Sequence, residues 1–197
     1  MVERQLRGRG IDDERVLAAM EEVPRELFLP ESVRDDAYAD GALPIGEGQT
    51  MSQPWIVAFM AQLLGLEGDE KVLEVGTGSG YGAAVLSRLC AHVVTIERHA
   101  PLAEAARATL AELGYRNVEV MVGDGTDGVP ERAPFDGISV TATATGDPPQ
   151  ALLAQLAEHA PLVIPIRRRG REHLCLIRDG IQEALVPVRF VPLVGPA

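Results

Sequence analysis

The chain has 197 residues, 46% of them hydrophobic and 24% charged, as expected for one soluble globular domain that buries roughly 70% of its unfolded surface. A formal net charge of −11 and a pI near 4.8 argue against a nucleic-acid partner, whose phosphates must be met by clustered Lys and Arg. Cys90 and Cys175 supply neither a disulfide framework nor a metal spacing, and no apolar run nears the ~18 residues of a membrane span, so a cytoplasmic protein with no membrane contact and no metal is expected.

Residues 1–40 carry a helical pattern that stands outside the strand-helix alternation of the rest. Asp12 or Asp13 caps a helix whose apolar positions Val16, Leu17 and Met20 recur at helical spacing. Val23 and Pro24 end it, and Phe28, Leu29 and Pro30 form an apolar anchor. The segment is either a lid or flanking subdomain, or a packing appendage. Residues 43–55 follow, with Gly46, Gly48, Pro44 and Pro54 framing small polar side chains ahead of an apolar helix, 55–64. Pro54 suits the first helical turn, where its missing N–H costs nothing. Ser52 is then either a cap residue or a hydroxyl presented at the mouth of a cleft.

The centre of the chain is residues 71–89: a buried strand 71–75, the turn Gly76-Thr77-Gly78-Ser79-Gly80, and a helix over about 80–89. Such a turn lets backbone approach a ligand closely, with helix N–H groups aimed at it. Residues 78–83 also satisfy the dinucleotide pattern. Glu74 speaks against a pyrophosphate, because like charges repel in a dry cleft. It suits a cationic ligand, and S-adenosyl-L-methionine carries both an ammonium and a sulfonium. The next strand, 93–96, ends in Glu97, 21 residues after Gly76, the spacing at which a carboxylate accepts from ribose hydroxyls. A third strand, 118–122, runs into Gly123-Asp124-Gly125, where Asp124 could accept from the adenine amine.

Further along, residues 134–142 read as a fourth strand that ends at Thr141 on the ligand edge. A helix over about 149–159 and a strand 162–165 come next. Residues 174–178 and 185–193 lack an intervening helix and are expected to form an antiparallel pair. Arg167, Arg168, Arg169 and Arg171 read as a solvated hairpin-like loop. The fold class is therefore α/β: a doubly wound, mostly parallel sheet with an antiparallel C-terminal pair and an N-terminal helical segment.

These motifs resemble the protein-L-isoaspartate O-methyltransferase family, within the class I S-adenosylmethionine-dependent methyltransferases. The likeness runs end to end, through residues 1–6, 23–28, 44–54, 74–81, 123–125, 133–136, 140–142 and 188–193. The Gly48-Gln49-Thr50-Met51-Ser52-Gln53-Pro54 block is the specific part, while the glycine turn is shared by many methyltransferases. The chain departs from the usual pattern at His159-Ala160-Pro161, at Ile166-Arg167, at Trp55 and over 144–147, all near the expected substrate mouth.

The resemblance implies Ser52 as the catalytic residue and S-adenosyl-L-methionine as cofactor. It places the cofactor at Glu74, Gly76, Thr77, Gly78, Ser79 and Gly80, with Glu97 and Arg98 beyond, then Gly123, Asp124, Gly125 and Thr141. Substrate contacts are expected from Gln49, Thr50, Met51, Gln53 and Trp55. The implied reaction is methylation of the α-carboxylate of L-isoaspartyl residues in damaged proteins and peptides, by a monomer. A carboxylate of pKa ~3.9 is already nucleophilic at neutral pH, so Ser52 is expected to orient rather than to activate. The rival is a peptide-tailoring carboxyl methyltransferase acting on aspartate of a dedicated partner peptide. A cofactor-binding regulator without turnover is disfavoured by the presence of Ser52.

Overall fold

The computed structural model describes residues 1–195. Its N-terminal part is a string of short helical turns around one α-helix, α1 (Glu14–Glu22). Asp13 caps α1 through Oδ1, which accepts from the amides of Arg15 (2.8 Å) and Val16 (3.2 Å). A small hairpin of β1 (Leu43–Gly46) and β2 (Gln49–Met51) comes next, within the block that reads as irregular in the sequence. Helix α2 (Pro54–Leu64) begins on Pro54 and stops at Gly65, whose φ of 64° gives a left-handed end.

The main sheet contains β3 (Lys71–Val75), β4 (His92–Glu97), β5 (Val118–Val122), β6 (Gly137–Val140), the short β7 (Ala144–Thr145), β8 (Leu162–Arg168), β9 (Arg171–Arg178) and β10 (Ile181–Pro187). Its order is β10-β9-β8-β6-β3-β4-β5, with β7 beside β8. The strands β5, β4, β3, β6 and β8 run parallel, and β9 and β10 add antiparallel at the end. Helices α3 (Tyr81–Leu86), α4 (Ala100–Glu112) and α5 (Gln150–Leu153) lie along the connections. Alternation along the central strands separates two cores. Val72 and Val93 pack with α1 to α4, while Leu73, Val94 and Val140 pack with Phe135, Leu152 and Ile164.

The expected fold class holds, with local corrections. The helix expected over 80–89 is only α3, and the chain after it tightens into a turn in which the Leu89 amide donates to the Leu86 carbonyl at 2.9 Å. The helix expected over 149–159 is four residues of α5. Gln155 there is 4% exposed and turns its amide inward to Val129 N, Asp127 O and Ala151 O. The chain then leaves the helical path, and Ala157 N donates to Phe135 O. The arginine cluster is no loop: Arg167 and Arg168 belong to β8 and Arg171 to β9, leaving a two-residue turn at Arg169 and Gly170 with both φ values positive. A like turn at Asp179-Gly180 starts β10, which ends at Pro187. Residues 188–193 are therefore not strand but a strap, held by Thr143 N to Val191 O and Leu193 N to Thr143 O, both 2.8 Å.

Candidate active site

The chain visits β3, β4 and β5 on one side and then returns to place β6 on the other side of β3. The connections leaving the carboxyl ends of β3 and β6 therefore run to opposite sides, and open parallel sheets bind ligands at such a switch point. A cleft of about 270 Å³ opens there. Its floor is Glu74 to Ser79. Glu97, Arg98 and His99 form one wall, Gly48 to Ser52 another, and the strap residues 191–194 a third.

The glycine turn is built to the tolerance of its neighbours. Gly76 has φ 97°, and a Cβ there would fall within 2.3 Å of Thr141 Oγ1. Thr141 lies this close because its hydroxyl is within reach of two carbonyls, Gly76 O (2.9 Å) and Val75 O (3.1 Å). Glu97 is 6% exposed, and its two oxygens accept from Gly78 N (2.9 Å) and His99 N (3.0 Å). One carboxylate thus joins the glycine turn to the start of α4. Each of its oxygens keeps a lone pair for a hydroxyl in the cleft.

Glu74 is 2% exposed and accepts a 2.7 Å hydrogen bond from Thr95 Oγ1, which in turn lies 2.7 Å from Thr77 Oγ1. Burial pushes its pKa up to about 8; the Thr95 bond pulls it down and the nearby Glu97 charge pushes it further up. Burial therefore favours the protonated form of this side chain. A Cβ on Gly82 would overlap Glu74 Oε1, so the first turn of α3 must be glycine to admit it.

A second cleft, about 710 Å³, adjoins the first. It is lined by Arg9, Gln53, Trp55 and Ile56 on one side and by residues 187–191 on the other. Thr50, Ser52, Thr141 and Val191 line both clefts, so the two meet at Ser52. Trp55 Nε1 donates to Arg9 O (3.2 Å), and the Arg9 guanidinium sits 4.9 Å over the indole and 3.1 Å from Asp40 Oδ1. Gln53 is the N-cap of α2 and no side chain caps that helix, which removes the cap role considered for Ser52.

The structure thus gathers Gln49, Thr50, Met51, Ser52, Glu74, Gly76, Thr77, Gly78, Ser79, Glu97, Arg98, Gly125 and Thr141 around the first cleft. Gln53 and Trp55 line the second cleft only. Gly80, Gly123 and Asp124 stand outside both linings. Asp124 Oδ1 is occupied by Thr126 N (2.8 Å) and Thr126 Oγ1 (2.7 Å). Thr95, His99, Tyr81 and the strap residues were not visible as site residues in the sequence. Thr95 sits mid-strand like any core position, and the strap looks like the end of a strand.

Sheet order, switch-point cleft and glycine turn together define the Rossmann-like methyltransferase class. A family model described as Protein-L-isoaspartate(D-aspartate) O-methyltransferase (PCMT) matches residues 1–197, and the chain belongs to that family. It is 54% identical over 199 residues to a protein-L-isoaspartate O-methyltransferase of Methanoregula boonei, covering 99% of this chain and 91% of the relative. A solved protein-L-isoaspartate O-methyltransferase superposes with a TM-score of 0.88 at 32% identity, over 99% of this chain and 66% of the other. A Plasmodium falciparum chain described as the same enzyme, in complex with S-adenosyl-L-homocysteine, gives 0.82 at 26% identity, over 98% and 96%.

Proposed function

We propose that the chain is an S-adenosyl-L-methionine-dependent carboxyl methyltransferase that methylates the α-carboxylate of L-isoaspartyl residues in damaged proteins and peptides. The observation that carries this reading is that two clefts meet at Ser52 in a chain of this family. The first cleft fits the cofactor in its chemistry. Glu97 keeps acceptor capacity for a diol, and Glu74 is a buried acid that a cation would return to its charged form. When bound, S-adenosyl-L-methionine supplies a methyl group on a sulfonium. Gly76 to Ser79, Glu97, Arg98, Gly125 and Thr141 would hold it, with Gly80, Gly123 and Asp124 shaping the turns behind them.

The acceptor carboxylate needs no base, so this chain's residues have to align it and exclude water. Ser52, free of any cap, donates from the junction, with Gln49, Thr50 and Met51 beside it. Gln53, Trp55 and Arg9 receive the flanking peptide in the second cleft. Residues 1–40 act as a cover of that cleft, supported by the place of Arg9 in its wall. The methyl ester loses methanol more readily than the free acid loses hydroxide, so attack of the next backbone nitrogen on the ester carbonyl closes a succinimide off the enzyme.

We further infer a monomer working in the cytoplasm without nucleic acid, supported by the −11 charge and by two free, buried cysteines. A scattering mass near twice 21.1 kDa would contradict the monomer. Among the described residues no helix is long and apolar enough to cross a membrane. The function is tested with methyl-labelled cofactor and matched peptides. Label is expected in the isoaspartyl peptide and not in its aspartyl twin, and the reverse pattern would overturn the reading.

A further inference from the structure

Arg25 is the largest side chain of the molecule that is wholly removed from solvent, at 0% exposure. It opens the 3-10 turn Arg25–Phe28. Its hydrogen bonds go to two carbonyls, Nε to Ala37 O and Nη2 to Ser52 O, each 2.7 Å. Nη1 is buried with no partner, and no acid pairs with the guanidinium among the described residues. The group lies instead 4.8 Å over the ring of Tyr81, the first residue of α3. Burial draws its pKa down and Tyr81 opposes this.

A buried cation without a counter-charge is costly, and a simple tie between two loops could be made by a neutral donor. The planar guanidinium does something an ammonium or amide does not: it reaches two carbonyls in its own plane while its face rests on an aromatic ring. Here those three contacts belong to three different parts of the site. Ala37 is in the N-terminal cover, Ser52 is the junction of the clefts, and Tyr81 follows directly on the glycine turn and lines the first cleft.

We propose that Arg25 is a positioning residue of this enzyme, fixing the Ser52 backbone against the Tyr81 end of the glycine turn so that the Ser52 hydroxyl is held where the acceptor must lie. The inference rests on the acceptor-orienting role assigned to Ser52 above. Arg25 lines neither cleft. It acts through Ser52, and a displacement of about 1 Å there is enough to cost on the order of a hundredfold in rate.

The test compares Arg25→Lys, Ser52→Ala and the double variant, reading kcat and KM on an isoaspartyl peptide, the Kd of S-adenosyl-L-homocysteine and the melting temperature. Arg25→Lys is expected to lower kcat per folded molecule about tenfold or more, with the S-adenosyl-L-homocysteine Kd changed less than about threefold. Added to Ser52→Ala, it is expected to cost no more than about a further threefold, since the two substitutions remove one function. Arg25→Gln, which keeps a donor without the charge, serves should the lysine variant not fold. A lower melting temperature with wild-type kcat would make Arg25 a structural staple and overturn the proposal. So would losses that multiply in the double variant. Wild-type kcat in Ser52→Ala alone would mark the failure of the Ser52 reading itself.

Discussion

At the scale of single residues, the two buried acids are expected to divide the work of the first cleft. Glu97 is tied to backbone on both oxygens, so removing it loosens the turn as well as losing acceptors. Glu97→Ala is expected to weaken S-adenosyl-L-homocysteine binding by about 1.5–3 kcal/mol, the range for hydrogen bonds to a charged group. Unchanged affinity by calorimetry, with the fold intact, would remove Glu97 from the site. Glu74 instead is expected to make binding depend on pH. Its pKa is about 8 when folded against an ordinary 4.5, so the folded chain holds a proton that the unfolded chain has released. That contribution to stability is fully present below about pH 4.5, declines as pH rises, and is gone above about pH 8. A cationic ligand favours the carboxylate, so S-adenosyl-L-methionine should displace this proton and bind more tightly as pH rises from about 6 to 8. Calorimetry in two buffers of different ionisation enthalpy should show proton release, and Glu74→Gln should abolish it. Pairing-free binding, with no buffer dependence in the wild type, would contradict this role.

At the scale of elements, the sequence was legible where local chemistry and tertiary context agree. Asp13 before an apolar period, Pro54 at a helix start, and a glycine turn after a buried strand each dictate their own geometry. Asp13→Ala is expected to cost about 0.5–2 kcal/mol and to lower the melting temperature by roughly 2–4 °C for each kcal/mol, leaving turnover per folded molecule unchanged. A thermal melt beside an activity assay checks both halves. The sequence misled where a distant partner decides. Nothing near Gln155 announces that its amide will be consumed by Val129 and Asp127, which ends α5 early. Residues 188–193 are apolar apart from Arg189 and read as part of a strand, yet β10 ends at Pro187, after a register shift between Ala184 and Val186, and they become a wall of both clefts. Thr95, which bonds Glu74 and contacts Thr77, is a strand residue like its neighbours until those partners are placed.

At the scale of the molecule, the sheet supplies one cleft and residues 9–56 line one side of a second beside it, with Ser52 lining both together with Thr50, Thr141 and Val191. An acidic protein of net charge −11 has to accept an anionic group; Arg189 lines the second cleft and is the residue expected to offset that repulsion, because Arg9 is already paired with Asp40. On the proposed function, the junction at Ser52 is where cofactor and acceptor are brought into line. Turnover on an isoaspartyl peptide, S-adenosyl-L-homocysteine affinity and melting temperature, measured on one preparation of Ser52→Ala, test this most directly. The expected result is a loss of turnover of ~10²-fold or less, since one aligning hydrogen bond to an existing nucleophile is removed, with affinity and melting temperature close to wild type. Wild-type turnover with a lowered melting temperature would contradict it, as would a loss approaching ~10⁵-fold, which would demand covalent or general-base chemistry at Ser52.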